Sequence, residues 1–269
     1  MIHIIVVTHN SSEVLPSCLA HLDRQSIPID SLTLVDSGSA ERSYLEQFSH
    51  RSRTKLILAD NIGYGRGNNL GYQALAPTGG MVVFLNPDTF LPPDYLAQAL
   101  AVMQENPSAA VISGKLQGFD PAAMVPTGVI DSTGIFRNWY GRWYDRGQGE
   151  QDRGQYQLIE SVPAVCGALL CCRAEALEQL PGQVFDADFF LYKEDIELSL
   201  RLRAAGWQLI YDPRLVAYHC RGWKKQRREI AYHLRLTAAR NELLLYQKHP
   251  SPYICWAWLK ALVVRWLRW

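Results

Sequence analysis

The chain is 269 residues long, 48% hydrophobic and 20% charged, which makes one large domain or two small ones with room for a sizeable core. Its formal net charge is +1, a balance that argues against a dedicated nucleic-acid binder. The six cysteines (Cys18, Cys166, Cys171, Cys172, Cys220, Cys255) form no pair of metal-ligand pairs, so buried reduced thiols in a cytosolic protein are expected. From the N-terminus, residues 2–7 read as a β-branched strand, 11–25 as a helix behind Ser11 and Glu13, and 31–35 as a second strand. A helix at 41–50, a strand at 55–58 and a helix at 67–76 follow, then a buried strand at Met81–Leu85, a helix at 94–106 and a strand at 110–113. This βαβ alternation predicts a doubly wound, mostly parallel sheet. No G-x-G-x-x-G follows the first strand, so the dinucleotide fingerprint is missing.

From 115 to 160 the periodicity dissolves into Gly, Pro, Asp and Arg, with aromatics at Phe136, Trp139, Tyr140, Trp143 and Tyr144. A loop-rich insert is expected, its aromatics able to stack on sugar rings or to pack locally. A second ordered half begins near Val162: an apolar run at 168–172, helices at 174–180 and 194–205, and a strand at 208–211. Met1 to Val7 is too short for a secretory signal, and no apolar stretch is long enough to promise a membrane span. The C-terminus combines Trp256, Trp258, Trp266 and Trp269 with Lys260, Arg265 and Arg268. That pattern suits a helix lying in a bilayer interface, or else a terminal helix packed on the core or on a twin subunit.

Chemistry gathers at few places. Asn86-Pro87-Asp88 ends the strand Met81–Leu85, because Pro87 fixes φ and removes an N–H. In open α/β sheets ligands bind at that edge, and a lone carboxylate there suits a divalent cation shared with a diphosphate. Glu194-Asp195 opens a helix. Acids in a first turn are ordinary helix electrostatics, but the apolar run 189–192 just upstream would raise their pKa values towards those of a base. The segment 61–71 carries four glycines and Arg66, a loop that could approach phosphates or merely turn a corner. His219 stands at a strand end before a basic run of Arg221, Lys224, Lys225, Arg227 and Arg228, which reads as a solvated face or as an attraction to phosphate or anionic lipid.

In order, these motifs resemble the family 2 glycosyltransferases. Thr8-His9-Asn10, Asp36-Ser37-Gly38-Ser39, Asn61-x-Gly63, Asn69-x-Gly71 and Asn86-Pro87-Asp88 are similar to the donor half of that family. Cys166-Gly167-Ala168, the stretch from Phe189 through Glu194-Asp195 to Arg201, Ala205-Gly206-Trp207 and His219 resemble the acceptor half of its rhamnosyltransferase-like branch. The likeness runs over roughly residues 1–225, and residues 237–249 resemble the stretch that follows the catalytic domain.

The resemblance implies a GT-A fold. It divides the chain into a catalytic domain at 1–230 (nucleotide-sugar half 1–113, insert 114–161, acceptor half 162–230) and a helical extension at 231–269. It implies that Thr8 and Asp36 contact the nucleoside, with Asn10, Asn61, Gly63, Arg66, Asn69 and Asn86 also on the donor side. Mg²⁺ or Mn²⁺ would sit at Asp88 with His219, and such a site should be weak or empty without donor. Asp195 would be the catalytic base with Glu194 beside it, in an inverting transfer from a nucleotide-diphosphate sugar to a saccharide or lipid-linked acceptor of the cell envelope. The location implied is the cytoplasmic face of the plasma membrane, with a homodimer open. A catalytically inactive sugar-binding module on the same fold is the alternative. A nucleotidyltransferase would want a Gly-rich basic loop after the first strand, and Thr8 to Ser12 is not one.

Overall fold

A computed structural model describes residues 1–220 and 231–267. The first half alternates: β1 (Ile2–Thr8), α1 (Leu15–Asp23), β2 (Ser31–Ser37), α2 (Ser43–Glu46), β3 (Thr54–Ala59), α3 (Tyr64–Leu75), β4 (Met81–Leu85), a two-residue β5 (Thr89–Phe90) and α4 (Tyr95–Glu105). The second half holds β6 (Ala109–Asp120), β7 (Val125–Ser132), β8 (Ile135–Arg137), β9 (Trp143–Asp145), β10 (Glu160–Ser161) and β11 (Leu169–Arg173). α5 (Ala174–Glu178), α6 (Glu194–Ala204), β12 (Gln208–His219), α7 (Tyr232–Lys248) and α8 (Ile254–Leu267) complete it.

The main sheet runs β10-β12-β6-β11-β4-β1-β2-β3. β1 is parallel to β2 and β4, β2 to β3, and β6 to β12, whereas β11 is antiparallel to both its neighbours. This is the expected α/β architecture with a mostly parallel sheet. β4 sits at its centre, so both of its faces are covered and its sequence needs no alternation. Met81, Val83 and Leu85 join Ile4 and Val6 in one core, with α1, α4 and α7. Val82 and Phe84 join Ile5 in the other, with α5 and α6.

Several elements depart from the sequence reading. α1 begins at Leu15 rather than 11, since the amides of Val14 and Leu15 both donate to Ser11 O and Pro16 occupies the first turn, where its missing N–H costs nothing. The helix expected at 41–50 shrinks to the single turn of α2. α3 starts at Tyr64, so the glycine-rich segment is mostly helix. A Cβ on Gly67 would stand 2.8 Å from Val7 Cγ1, and one on Gly71 2.6 Å from Ile5 Cγ2. These two glycines bring α3 down onto β1; they do not form a loop around a ligand. Gly71→Ala is therefore expected to destabilise the fold by about 1–3 kcal/mol through overpacking, read as a lowered urea midpoint with the slope unchanged.

The insert expected to be loop-rich holds loops and several strands. β6 runs on to Asp120 and pairs antiparallel with β7, and β8 and β9 form a hairpin. Polar contacts pin it more than apolar alternation does, which is why the period was invisible. Buried Lys115 donates to Asp152 at 3.0 Å, and Arg146 lies over Phe136 and Tyr156 at 4.4 and 4.8 Å. β12 is twelve residues long, with an irregularity between Tyr211 and Val216. The breakers Asp212 and Pro213 hide its continuation beyond the strand expected at 208–211. The C-terminal helices pack on this body: Asn241 Nδ2 donates to the carbonyls of Leu191 and Tyr192 at 2.9 and 3.0 Å, and Lys248 meets Asp186 and Asp188. The basic run from Arg221 to Arg228 lies outside the described residues.

Candidate active site

The Asn86-Pro87-Asp88 corner is a turn, closed by the Thr89 amide donating to Asn86 O at 3.1 Å. Pro87 takes the second position, which suits its fixed φ. The chain does not simply leave the sheet there. β5 rejoins it against the end of β12, with Thr89 opposite His219. That register sets Asp88 Oδ1 3.3 Å from His219 Nε2, and the other ring nitrogen, Nδ1, lies 2.8 Å from Asp131 Oδ2. Burial opposes protonation of His219, but the hydrogen bonds and charges of Asp131 and Asp88 outweigh it and lift its pKa to about 9. Asp131 was missed in the sequence. The signal was present: one carboxylate inside the strand-like run Val129-Ile130-Asp131, where a fully buried acid needs a partner.

The second cluster sits at the start of α6. Tyr192 and Lys193 both hold left-handed backbone, φ +73° and +74°, a strained conformation for non-glycine residues. The chain reverses there and presents Glu194 and Asp195 at the helix N-terminus, where anions are favoured. Asp195 accepts hydrogen bonds from the Gly167 amide at 2.9 Å and the Ile196 amide at 2.8 Å. A Cβ on Gly167 would fall 3.1 Å from Asp195 Cβ, so the absence of a side chain allows this approach. Tyr64 from the first half donates to Gly167 O at 2.6 Å and ties the two halves together.

The two carboxylates have different surroundings. Glu194 is buried, and its Oε2 has no hydrogen-bond partner; burial, then repulsion from Asp195, pushes its pKa up to about 8. Burial raises Asp195 as well, but the Gly167 and Ile196 amides favour its anion. Of the pair, Glu194 thus holds its proton more strongly and Asp195 is the more readily ionised member. The expected raising of these pKa values is what the structure gives, and the Lys193 charge opposes it only in part. For stability, a carboxyl raised from 4.5 holds a proton in the folded chain that the unfolded chain has lost. Stability attributable to it falls as pH rises between those values and is flat above about 8. Glu194→Gln is expected to remove this dependence, so its gain in melting temperature over wild type should grow from about pH 5 to pH 8. Equal gains at both pH values would show that Glu194 is not a buried acid of this kind.

Two clefts meet between these clusters. One, of about 700 Å³, is lined by Thr8, Asn10, Asn61, Gly63, Asn86 and Asp88, with Leu234 and Thr237 of α7 over it. The other, of about 300 Å³, is lined by Glu194, Asp195, His219, Gly167 and, from the hairpin, Trp143 and Tyr144. Tyr64, Asn86 and Leu191 belong to both walls. Three sequence-predicted residues stand behind this surface. Asp36 is fully buried and holds Ser39 and Arg42. Arg66 Nε donates to Ala187 O at 2.9 Å. Asn69 bonds the backbone of Phe185 in both directions. All three brace loops that form the walls.

Among the described residues no cluster of three or more His, Cys, Asp or Glu could cage a metal alone. Asp88 and His219 supply one carboxylate and one imidazole, with the Asp88 side chain 28% exposed. A hard cation that completes its shell with substrate phosphates and water fits such a partial set, and Asp131 behind His219 is the carboxylate–histidine arrangement that orients a ligating ring.

The model of glycosyl transferase family group 2 matches residues 81–269. An N-acetylglucosaminyl-diphospho-decaprenol L-rhamnosyltransferase of Mycobacterium tuberculosis is 25% identical over 80% of this chain and 75% of its own length. The solved structure of GalNAc-T7 with UDP, GalNAc and Mn²⁺ superposes with a TM-score of 0.67 at 15% identity, over 98% of this chain; the chain spans 57% of that one. The mannosyltransferase PcManGT of Pyrobaculum calidifontis, in complex with GDP-Man and Mn²⁺, gives 0.62 at 19% identity, over 97% of this chain and 69% of its own. The structural likenesses carry the GT-A fold, and the family match covers well over half the chain. The protein belongs to glycosyl transferase family group 2.

Proposed function

We propose that the protein is an inverting glycosyltransferase. It moves a sugar from a nucleotide-diphosphate donor, dTDP-rhamnose-like or UDP-linked, to a hydroxyl of a saccharide or lipid-linked saccharide in cell-envelope polysaccharide synthesis. The observation that carries this reading is the junction of the two clefts. Asp88 faces the larger one, Asp195 the smaller, and Asn86 belongs to both walls. The nucleotide lies in the larger cleft, against Thr8, Asn10 and Asn61, with Asp36 acting behind Ser39. The anomeric carbon lies near Asn86, and the acceptor enters past Trp143 and Tyr144.

Asp88 and His219 would hold Mg²⁺ or Mn²⁺ against the donor diphosphate. When bound, the ion supplies Lewis-acid stabilisation of the departing diphosphate. The chain's own contribution is a held base. Asp195, fixed by the Gly167 and Ile196 amides, takes the proton of the acceptor hydroxyl at Oδ while that oxygen attacks from the face opposite the leaving group. One base and no second nucleophilic carboxylate give a single displacement, hence inversion, unlike the retaining hydrolases. A thermal-shift screen of nucleotide sugars with and without Mn²⁺ tests the donor class, because a ligand of the native state raises the melting midpoint. If no nucleotide sugar raises it with Mn²⁺ present, the donor reading is wrong.

A lipid-linked acceptor sets the reaction at the cytoplasmic face of the membrane. Among the described residues no helix is long and apolar enough to cross a bilayer.

A further inference from the structure

α8 is buried on one side only. Ala257 and Val264 are buried, and Lys260 pairs with buried Glu242 of α7. On the other side Trp258, Leu259, Leu262 and Trp266 are 51%, 54%, 47% and 73% exposed. Spacings of one, four and eight residues from Trp258 put them on one helical face. The turn of the β8–β9 hairpin extends this surface. Trp139 is 85% exposed, its ring meets Tyr140 at 5.2 Å, and Tyr140 meets Trp256 of α8 at 4.8 Å. Arg137 beside it lies over Tyr253 at 4.5 Å. The other strand of the same hairpin, β9, walls the smaller cleft with Trp143, Tyr144 and Asp145.

Charge is also divided along the sequence. Residues 221–269 carry eleven of the 27 lysines and arginines and two of the 26 acids, a formal +9; the 220 residues before them carry sixteen and 24, a formal −8. The net charge of the whole chain conceals this polarity. α8 itself contains no acid. A sequence segment this basic is drawn to an anionic leaflet, and the exposed tryptophans favour the headgroup zone.

We propose that the exposed face of α8 and the Trp139 turn dock together on an anionic phospholipid bilayer, with α8 in the plane of the interface. The mouth of the smaller cleft is then held against the headgroups. This deepens the lipid-linked acceptor reading by naming the surface that meets the lipid, and it rests on that reading for the use the cleft makes of it.

The test is flotation of the full chain with phosphatidylcholine vesicles, with and without about 30 mol% phosphatidylglycerol, for wild type and a Trp139→Ala, Trp258→Ala, Trp266→Ala variant. All three side chains are exposed, so an unchanged melting curve checks the fold. Expected are a partition coefficient onto anionic vesicles at least about tenfold higher than onto neutral ones, and a loss of about tenfold or more in the variant. Equal flotation of both forms overturns the proposal, as does a wild-type dimer that the variant dissolves without any vesicle binding. Nucleotide release with a water-soluble acceptor is measured on the same samples. If flotation behaves as expected but neither form releases nucleotide, the transfer reading fails and the docking surface stands.

Discussion

Asp195→Asn is expected to lower kcat by about a thousandfold, the middle of the range that a positioned general base contributes. Donor KM should stay near wild type, because Asp195 lines the smaller cleft and not the larger. The substitution keeps the volume, and one amide oxygen can still accept from the Gly167 or the Ile196 N–H. It cannot accept the acceptor's proton. Glu194 is a poor replacement, because burial, the larger cause of its raised pKa, persists in the variant although the repulsion from Asp195 does not. The pH profile supplies a second reading of the same pair. Loss of the first proton generates the active Asp195 anion, so kcat/KM rises there with pH. Loss of the second, near 8, gives a doubly charged pair and a further inflection that Glu194→Gln should abolish. A variant with asparagine at 195 that retains near wild-type kcat would remove Asp195 from the base role.

Why these residues were legible while their partners were not follows from where the information sits. Asn86-Pro87-Asp88 and Glu194-Asp195 announce themselves locally, through a breaker after an apolar run and an acidic first turn after another. β4 reads correctly because a central strand is buried on both faces whatever its neighbours are. Asp131 and His219 are 88 residues apart, and they meet only because β6 pairs with β7 on one side and β12 on the other. No local period encodes that register. The glycines of α3 carry a different lesson. Four glycines in 61–71 allow a close approach to a ligand or a plain corner, but Gly67 and Gly71 serve the contact between a helix and β1. Arg66 and Asn69 were found by position in a motif, and their observed bonds to Ala187 and Phe185 are bracing contacts. A motif marks a neighbourhood; the direction of each side chain within it is tertiary information.

Asp88→Ala is expected to abolish metal-dependent donor binding, a fall in affinity of about a hundredfold or more, since even outer-shell losses cost about 10–100-fold. The size follows from the sparse donor set. With Asn86 in the first motif position, Asp88 is the carboxylate of that corner, and its partner His219 has an imidazole already committed through Nδ1 to Asp131. Removing Asp88 takes away one of the two charges that favour protonated His219, so its pKa falls towards the ordinary histidine range. That makes the ring a better ligand in isolation, but a single neutral imidazole is a poor site for a hard cation. Asp131→Asn separates the two effects. It leaves Asp88 in place and loosens the ring, so it should cost about 10–100-fold in metal affinity with the nucleotide part of donor binding preserved. Calorimetry of nucleotide diphosphate with Mn²⁺ and with EDTA measures both variants. Wild type and Asp131→Asn should respond to the chelator, and Asp88→Ala should not. Donor binding by Asp88→Ala that still strengthens with Mn²⁺ would mean that the cation is held elsewhere.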